Sequence, residues 1–87
     1  MSKIKKEIDG DLFIYEFHYF FNRKDSGSIF VGFNKELDEN DQDGCIEIAV
    51  EVGALDTSYA DNIDYVEQLD FLEAKEMEVI PETIYSI

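Results

Sequence analysis

The sequence predicts an α+β domain: an antiparallel sheet of three to four strands with one helix packed on a face, in the order β-β-β-α-β. Three observations carry this expectation. Aromatic residues take every second position from Phe13 to Phe21, which is the period of a strand. The alternation resumes at Ile29-Phe30-Val31-Gly32-Phe33 after a stretch of turn residues, as in an antiparallel hairpin. Beyond Gly53 the apolar residues recur at intervals of three and four, the period of a helix.

Taken in order, the first strand sets Phe13, Tyr15, Phe17, Tyr19 and Phe21 on one wholly aromatic face and Leu12, Ile14, Glu16, His18 and Phe20 on the other. Asn22-Arg23-Lys24-Asp25-Ser26-Gly27 is turn chemistry. Residues 34 to 44 are dense in Asp, Glu and Asn, with Leu37 the one periodic apolar side chain, and read as an exposed acidic loop. Residues 45 to 52 read as a third strand, with Ile46, Ile48, Val50 and Val52 opposite Cys45, Glu47, Ala49 and Glu51. Ser58-Tyr59-Ala60-Asp61 fits the start of a helix, whose apolar stripe is Tyr59, Ile63, Val66 and Leu69, widened by Tyr65 and Leu72. Glu73 and Glu76 then fall on the apolar side, so the helix is expected to end near Leu72, and residues 76 to 80 to form a short last strand before Pro81.

The 87 residues are read as a single domain, 1–87. A chain of this size buries only about 60–65% of its unfolded surface. Twelve aromatics and 45% hydrophobic residues supply the core, because each ring removes roughly 150–250 Å² from water. High charge without low hydrophobicity argues against disorder of the whole chain.

Charge is the most informative property. There are 21 acids against 7 bases, a net −14. The imbalance lies in the second half: residues 1 to 35 hold six bases and five acids, whereas residues 36 to 87 hold sixteen acids and Lys75 alone. Such an excess favours solubility and fast encounter with a basic partner, at the cost of self-repulsion. It argues against direct nucleic-acid binding, which needs Lys and Arg to displace counterions from phosphate, and against anionic membrane surfaces. No apolar run reaches the length of a membrane span, and one cysteine forms no intrachain disulfide, so the cytoplasm is the expected compartment. The basic opening with Lys3, Lys5 and Lys6 passes straight into Glu7-Ile8-Asp9-Gly10-Asp11, which breaks a targeting pattern.

Candidate chemistry is sparse, and the expectation is a protein that is not an enzyme and needs no cofactor or metal. His18 and Glu16 share a strand face and could form an acid–base pair, but no nucleophile motif accompanies them. Glu39-Asn40-Asp41-Gln42-Asp43-Gly44-Cys45-Ile46 resembles the front of a calcium loop; its first position is Glu and its twelfth falls on Val50, so half the ligand set is missing. One Cys and one His cannot fill a tetrahedral zinc shell. Acids beside Cys45 would suppress its thiolate. On the expected helix, Asp61, Asp64 and Glu67 share a face with carboxylates about 4.5 Å apart along the axis, a scale comparable to the ~3.4 Å advance of phosphates along a strand.

Asp43-Gly44-Cys45-Ile46-Glu47-Ile48-Ala49-Val50-Glu51 resembles a strand segment in immunity proteins of ribosome-cleaving colicins, over about a tenth of the chain. In size and charge the chain also resembles immunity proteins of nuclease toxins generally, and phage inhibitors of restriction or CRISPR nucleases that mimic nucleic acid. The resemblance implies an inhibitor. The expected function is to block the basic nucleic-acid-binding surface of a nuclease or nucleic-acid-binding complex, with Asp38, Glu39, Asp41, Asp43, Asp61, Asp64 and Glu67 as contact residues. The alternative is an assembly protein whose surplus aromatics build a homodimer or a larger complex.

Overall fold

Alternation along the first strand forms as expected. In the computed structural model, which describes residues 12–87, β1 (Phe13–Asn22) pairs antiparallel with β2 (Asp25–Phe33), Phe13 opposite Phe33 and His18 opposite Ser28. The basic opening and the acidic stretch 7–11 lie outside the described residues. At the hairpin, Lys24 N donates to Asn22 Oδ1 at 2.8 Å, closing the turn locally. β3 (Ile63–Leu69) pairs antiparallel with the other edge of β1, and β4 (Ile84–Tyr85) pairs parallel with β2. The sheet is therefore four-stranded, ordered β3-β1-β2-β4, and mixed rather than purely antiparallel.

Three helices accompany it among the described residues: α1 (Gln42–Glu51), α2 (Thr57–Ala60) and α3 (Phe71–Met77). The element order is ββααβαβ, which corrects three sequence expectations, each for a physical reason.

Residues 45 to 52 form helix, not strand. Cys45, Ile48, Ala49 and Val52 also stand at helical intervals, and the small pair Cys45 and Ala49 is buried under the sheet. Small side chains let the helix axis approach the large rings of Tyr15, Phe17 and Phe33. Both ends are specified. Asp41 caps the start, its Oδ1 accepting from Gly44 N at 3.1 Å. Gly53 stops it at φ 82°, with Gly53 N donating to Val50 O and Ala54 N to Ala49 O.

The long helix over 58 to 72 does not form. In its place come the four residues of α2, then β3, then α3. The spacing of Ile63 and Val66 arises from a β-bulge: Tyr65 faces His18 and Ile63 faces Tyr19, leaving Asp64 as the extra residue. Both apolar side chains thereby reach the α1 side of the sheet. Leu69 points to the opposite side, beneath α3. A bulged strand that buries residues on both faces has thus imitated a helical stripe.

The last strand lies after Pro81, not before it. α3 ends on Glu78, which adopts the left-handed conformation at φ 61° while Glu78 N and Val79 N bond back to Lys75 O and Ala74 O. That turn redirects the chain past Pro81 to the β2 edge.

The core is divided by the sheet. Tyr15, Phe17, Val31, Phe33, Cys45, Ala49, Leu55 and Val66 form the larger cluster on the α1 side; Ile14, Leu69 and Ala74 form the smaller one under α3. The aromatic face grades outward along β1: Tyr15 and Phe17 are fully buried, whereas Phe21 is 37% exposed and packs with Tyr19 and Tyr59 in a three-ring cluster.

Candidate functional site

Seventeen of the eighteen acids between residues 12 and 87 are exposed; the exception is Glu16. Among the described residues the one basic nitrogen within 4 Å of a carboxylate is His18 Nδ1, 3.6 Å from Asp64 Oδ2, beyond hydrogen-bond reach. The acidic surface is therefore not neutralised within the described chain, and the question is how the fold distributes it.

Helix α1 concentrates it. Asp43, Glu47 and Glu51 stand at i, i+4 and i+8, so at 1.5 Å rise per residue their positions are about 6 Å apart along one face. Like charges at this spacing repel, by roughly 0.2–0.5 kcal/mol per pair. Ile46 and Val50 run parallel to them, half-buried. Together with Thr57, Ala60 and Asp61 of the following α2 segment, these side chains line a shallow groove of about 540 Å³. Its floor is apolar and its rim carries Asp43, Glu47, Glu51 and Asp61.

The loop before α1 forms a second hollow, about 430 Å³, lined by Glu36, Leu37, Asp38, Glu39, Asn40 and Gln68. Tyr15 anchors it: its phenol donates to Leu37 O at 2.9 Å and accepts from Leu37 N at 2.6 Å. Burial, with Glu36 nearby, pushes the Tyr15 hydroxyl up to about 12 despite the opposing backbone bond. Several carboxylates here are already engaged. Asp38 Oδ1 accepts from Asn40 N at 3.0 Å, and Glu39 Oε1 accepts from Gln68 N at 2.9 Å, capping the free edge of β3. Cys45 Sγ donates to Asp38 O at 3.3 Å; burial, reinforced by Asp41, Asp38 and Glu39, pushes its thiol up to about 11. That thiol is buried and held neutral. No three His, Cys, Asp or Glu side chains among the described residues converge to hold a metal ion.

The seven acids expected at a contact surface fall into two groups. Asp38, Glu39, Asp41, Asp43 and Asp61 belong to the loop, α1 and the end of α2. Asp64 and Glu67 do not join Asp61 on a helix face, because they lie on β3: Asp64 Oδ2 comes within 3.6 Å of His18 Nδ1, and Glu67 stands opposite Glu16. The strand reading of residues 45 to 52 hid Glu47 and Glu51, which the helical period aligns with Asp43. Asp41 before the segment and Gly53 after it were the available helix signals.

Glu16 and His18 share the open sheet face, but no hydrogen bond joins them. Glu16 Oε2 accepts from Ser28 Oγ at 2.5 Å and from Tyr65 Oη at 3.4 Å, while His18 stacks on Tyr65 with centroids 4.9 Å apart. Burial, with Glu16 close by, raises the Tyr65 phenol.

No protein-family model matches the chain, and no curated protein or solved structure matches it either. No helix among the described residues is long and apolar enough to cross a membrane.

Proposed function

We propose that this protein is an acidic inhibitor that docks on the basic, nucleic-acid-binding surface of a nuclease or nucleic-acid-binding complex. The observation that carries the reading is the α1 row of Asp43, Glu47 and Glu51, continued by Asp61, exposed and without a cationic partner among the described residues. A row advancing about 6 Å per carboxylate sets one negative charge for roughly every second phosphate of a strand advancing ~3.4 Å per residue. Lys and Arg that normally hold phosphate would meet carboxylates instead, in charge-assisted hydrogen bonds. Asp38 and Glu39, in the adjoining loop, extend the same surface. Toxin immunity and phage counter-defence are the two settings in which such an inhibitor acts.

The test is a pull-down from bacterial lysate on the immobilised chain, eluted by salt steps to about 1 M, where the Debye length falls to about 3 Å. The expected result is a basic nuclease or nucleic-acid-binding complex, released by salt, displaced by DNA or RNA, and inhibited by the free chain in a cleavage or binding assay. Recovery of nothing salt-sensitive would overturn the reading.

A second reading rests on the exposed rings. Phe20 is 48% and Tyr65 36% exposed on the open sheet face. An apolar patch of this kind suits self-assembly. A constant dimer mass from low to high salt would favour an assembly role.

A further inference from the structure

We infer that the groove between α1 and α2 is a recognition site for a peptide segment that alternates apolar and basic side chains, the apolar ones entering the groove and the Lys or Arg meeting its rim. This deepens the proposed function and rests on it: the partner would be held by an anchored segment as well as by diffuse charge.

The lining of the groove defines the occupant. Ile46, Val50 and Ala60 leave half-buried apolar surface at the groove floor, and no described element covers it. Water against that floor is displaced at a gain only by an apolar group. Four carboxylates, from Asp43, Glu47, Glu51 and Asp61, surround the floor. An apolar partner alone would leave them partly desolvated and unpaired, and a purely cationic one would leave the floor wet. A segment with both satisfies each, in the pattern of anchor residues inside a polar rim. A second copy of the chain is a poor occupant, since it would bring the same acidic rim against this one.

The repulsion along α1 supports this choice. Asp43, Glu47 and Glu51 repel one another in the free protein, and a cationic segment laid along the helix relieves that repulsion as it binds. By contrast, the loop hollow around Asp38 and Glu39 is mostly polar, with Leu37 its one apolar side chain, and both carboxylates already accept backbone N–H groups. It offers charge without an anchor.

Selection from a phage library of random peptides about twelve residues long, with the full-length chain as bait at physiological salt, tests the inference. The expected winners carry Leu, Ile, Met or Phe between Lys or Arg residues. Synthetic versions should bind at least tenfold more weakly when the apolar residues are changed to Ala, and at least tenfold more weakly to the Glu47→Gln/Glu51→Gln double variant. Both glutamates are exposed, so this variant keeps its fold. Ala60→Arg, which puts a cation into the groove mouth, should compete with the peptides and reduce their binding as strongly; its thermal melt checks that it folds. Winners that are basic without apolar anchors, and whose Ala variants bind equally well, would overturn the groove while leaving the charge-based function standing. Enrichment without any basic residues would overturn both.

Discussion

Tyr15 holds both backbone polar groups of Leu37, donating to its carbonyl at 2.9 Å and accepting from its amide at 2.6 Å. One phenol buried beneath α1 thus ties the acidic loop to the sheet, twenty-two residues away in sequence. The same loop leads into the cap of α1, so the position of the acidic row depends on a contact in the core.

Tyr15→Phe should therefore cost more than one hydrogen bond. It leaves an amide and a carbonyl of a part-buried segment unpaired, at roughly 1–3 kcal/mol. Urea denaturation should show that loss, and hydrogen exchange should show faster exchange at Leu37 and along residues 38 to 41. A stability change with unaltered loop protection would mean that the phenol does not anchor the loop.

Alkaline pH should destabilise the fold through two buried groups. The folded-state values are raised, Cys45 from 9.0 to about 11 and Tyr15 from 10.0 to about 12. Between each pair of values the unfolded chain has released a proton that the native protein keeps, so stability falls as pH rises. Their contribution is full below about pH 9 and is lost between pH 9 and 12. Cys45→Ala should remove the earlier part of the decline. Urea midpoints at half-unit pH steps measure it, and a flat profile from pH 9 to 11 in the unsubstituted protein would contradict the burial of the thiol.

Two helix ends bear left-handed residues, and they should respond in opposite directions. Gly53 stops α1 at φ 82°; Gly53→Ala places a Cβ in that conformation and should destabilise by about 1–2 kcal/mol. Glu78 ends α3 at φ 61°; Glu78→Gly relieves the same strain and should stabilise by about 0.5–1 kcal/mol. Thermal melts of the two variants check both signs.

Self-repulsion along α1 should be visible as a salt effect. Glu47→Gln should raise the melting temperature at low ionic strength, since it removes two like-charge pairs worth roughly 0.2–0.5 kcal/mol each. At about 1 M salt the difference should vanish as the charges are screened. An equal gain at both salt concentrations would assign the effect to packing.

What the sequence by itself determined was the hairpin and the charge. Phe13 to Phe21 alternate so strictly that one strand face had to be aromatic, and a reversal had to fall within Asn22 to Gly27, though the strands run on to Asn22 and from Asp25 and leave only Arg23 and Lys24 to turn. The acidic second half was equally plain. Tertiary structure decided the rest. Cys45 to Val52 fit both periods, and the helix prevailed because Asp41 and Gly53 supply its ends while Cys45 and Ala49 are small enough to lie on the rings of Tyr15 and Phe17. Ile63, Val66 and Leu69 looked helical because a bulge at Asp64 and a second helix on the far face spaced the buried positions of a strand by three. The acidic row of Asp43, Glu47 and Glu51 shares this origin, since which carboxylates stand side by side depends on whether the backbone repeats every 2 or every 3.6 residues. That choice was made by what the segment packs against.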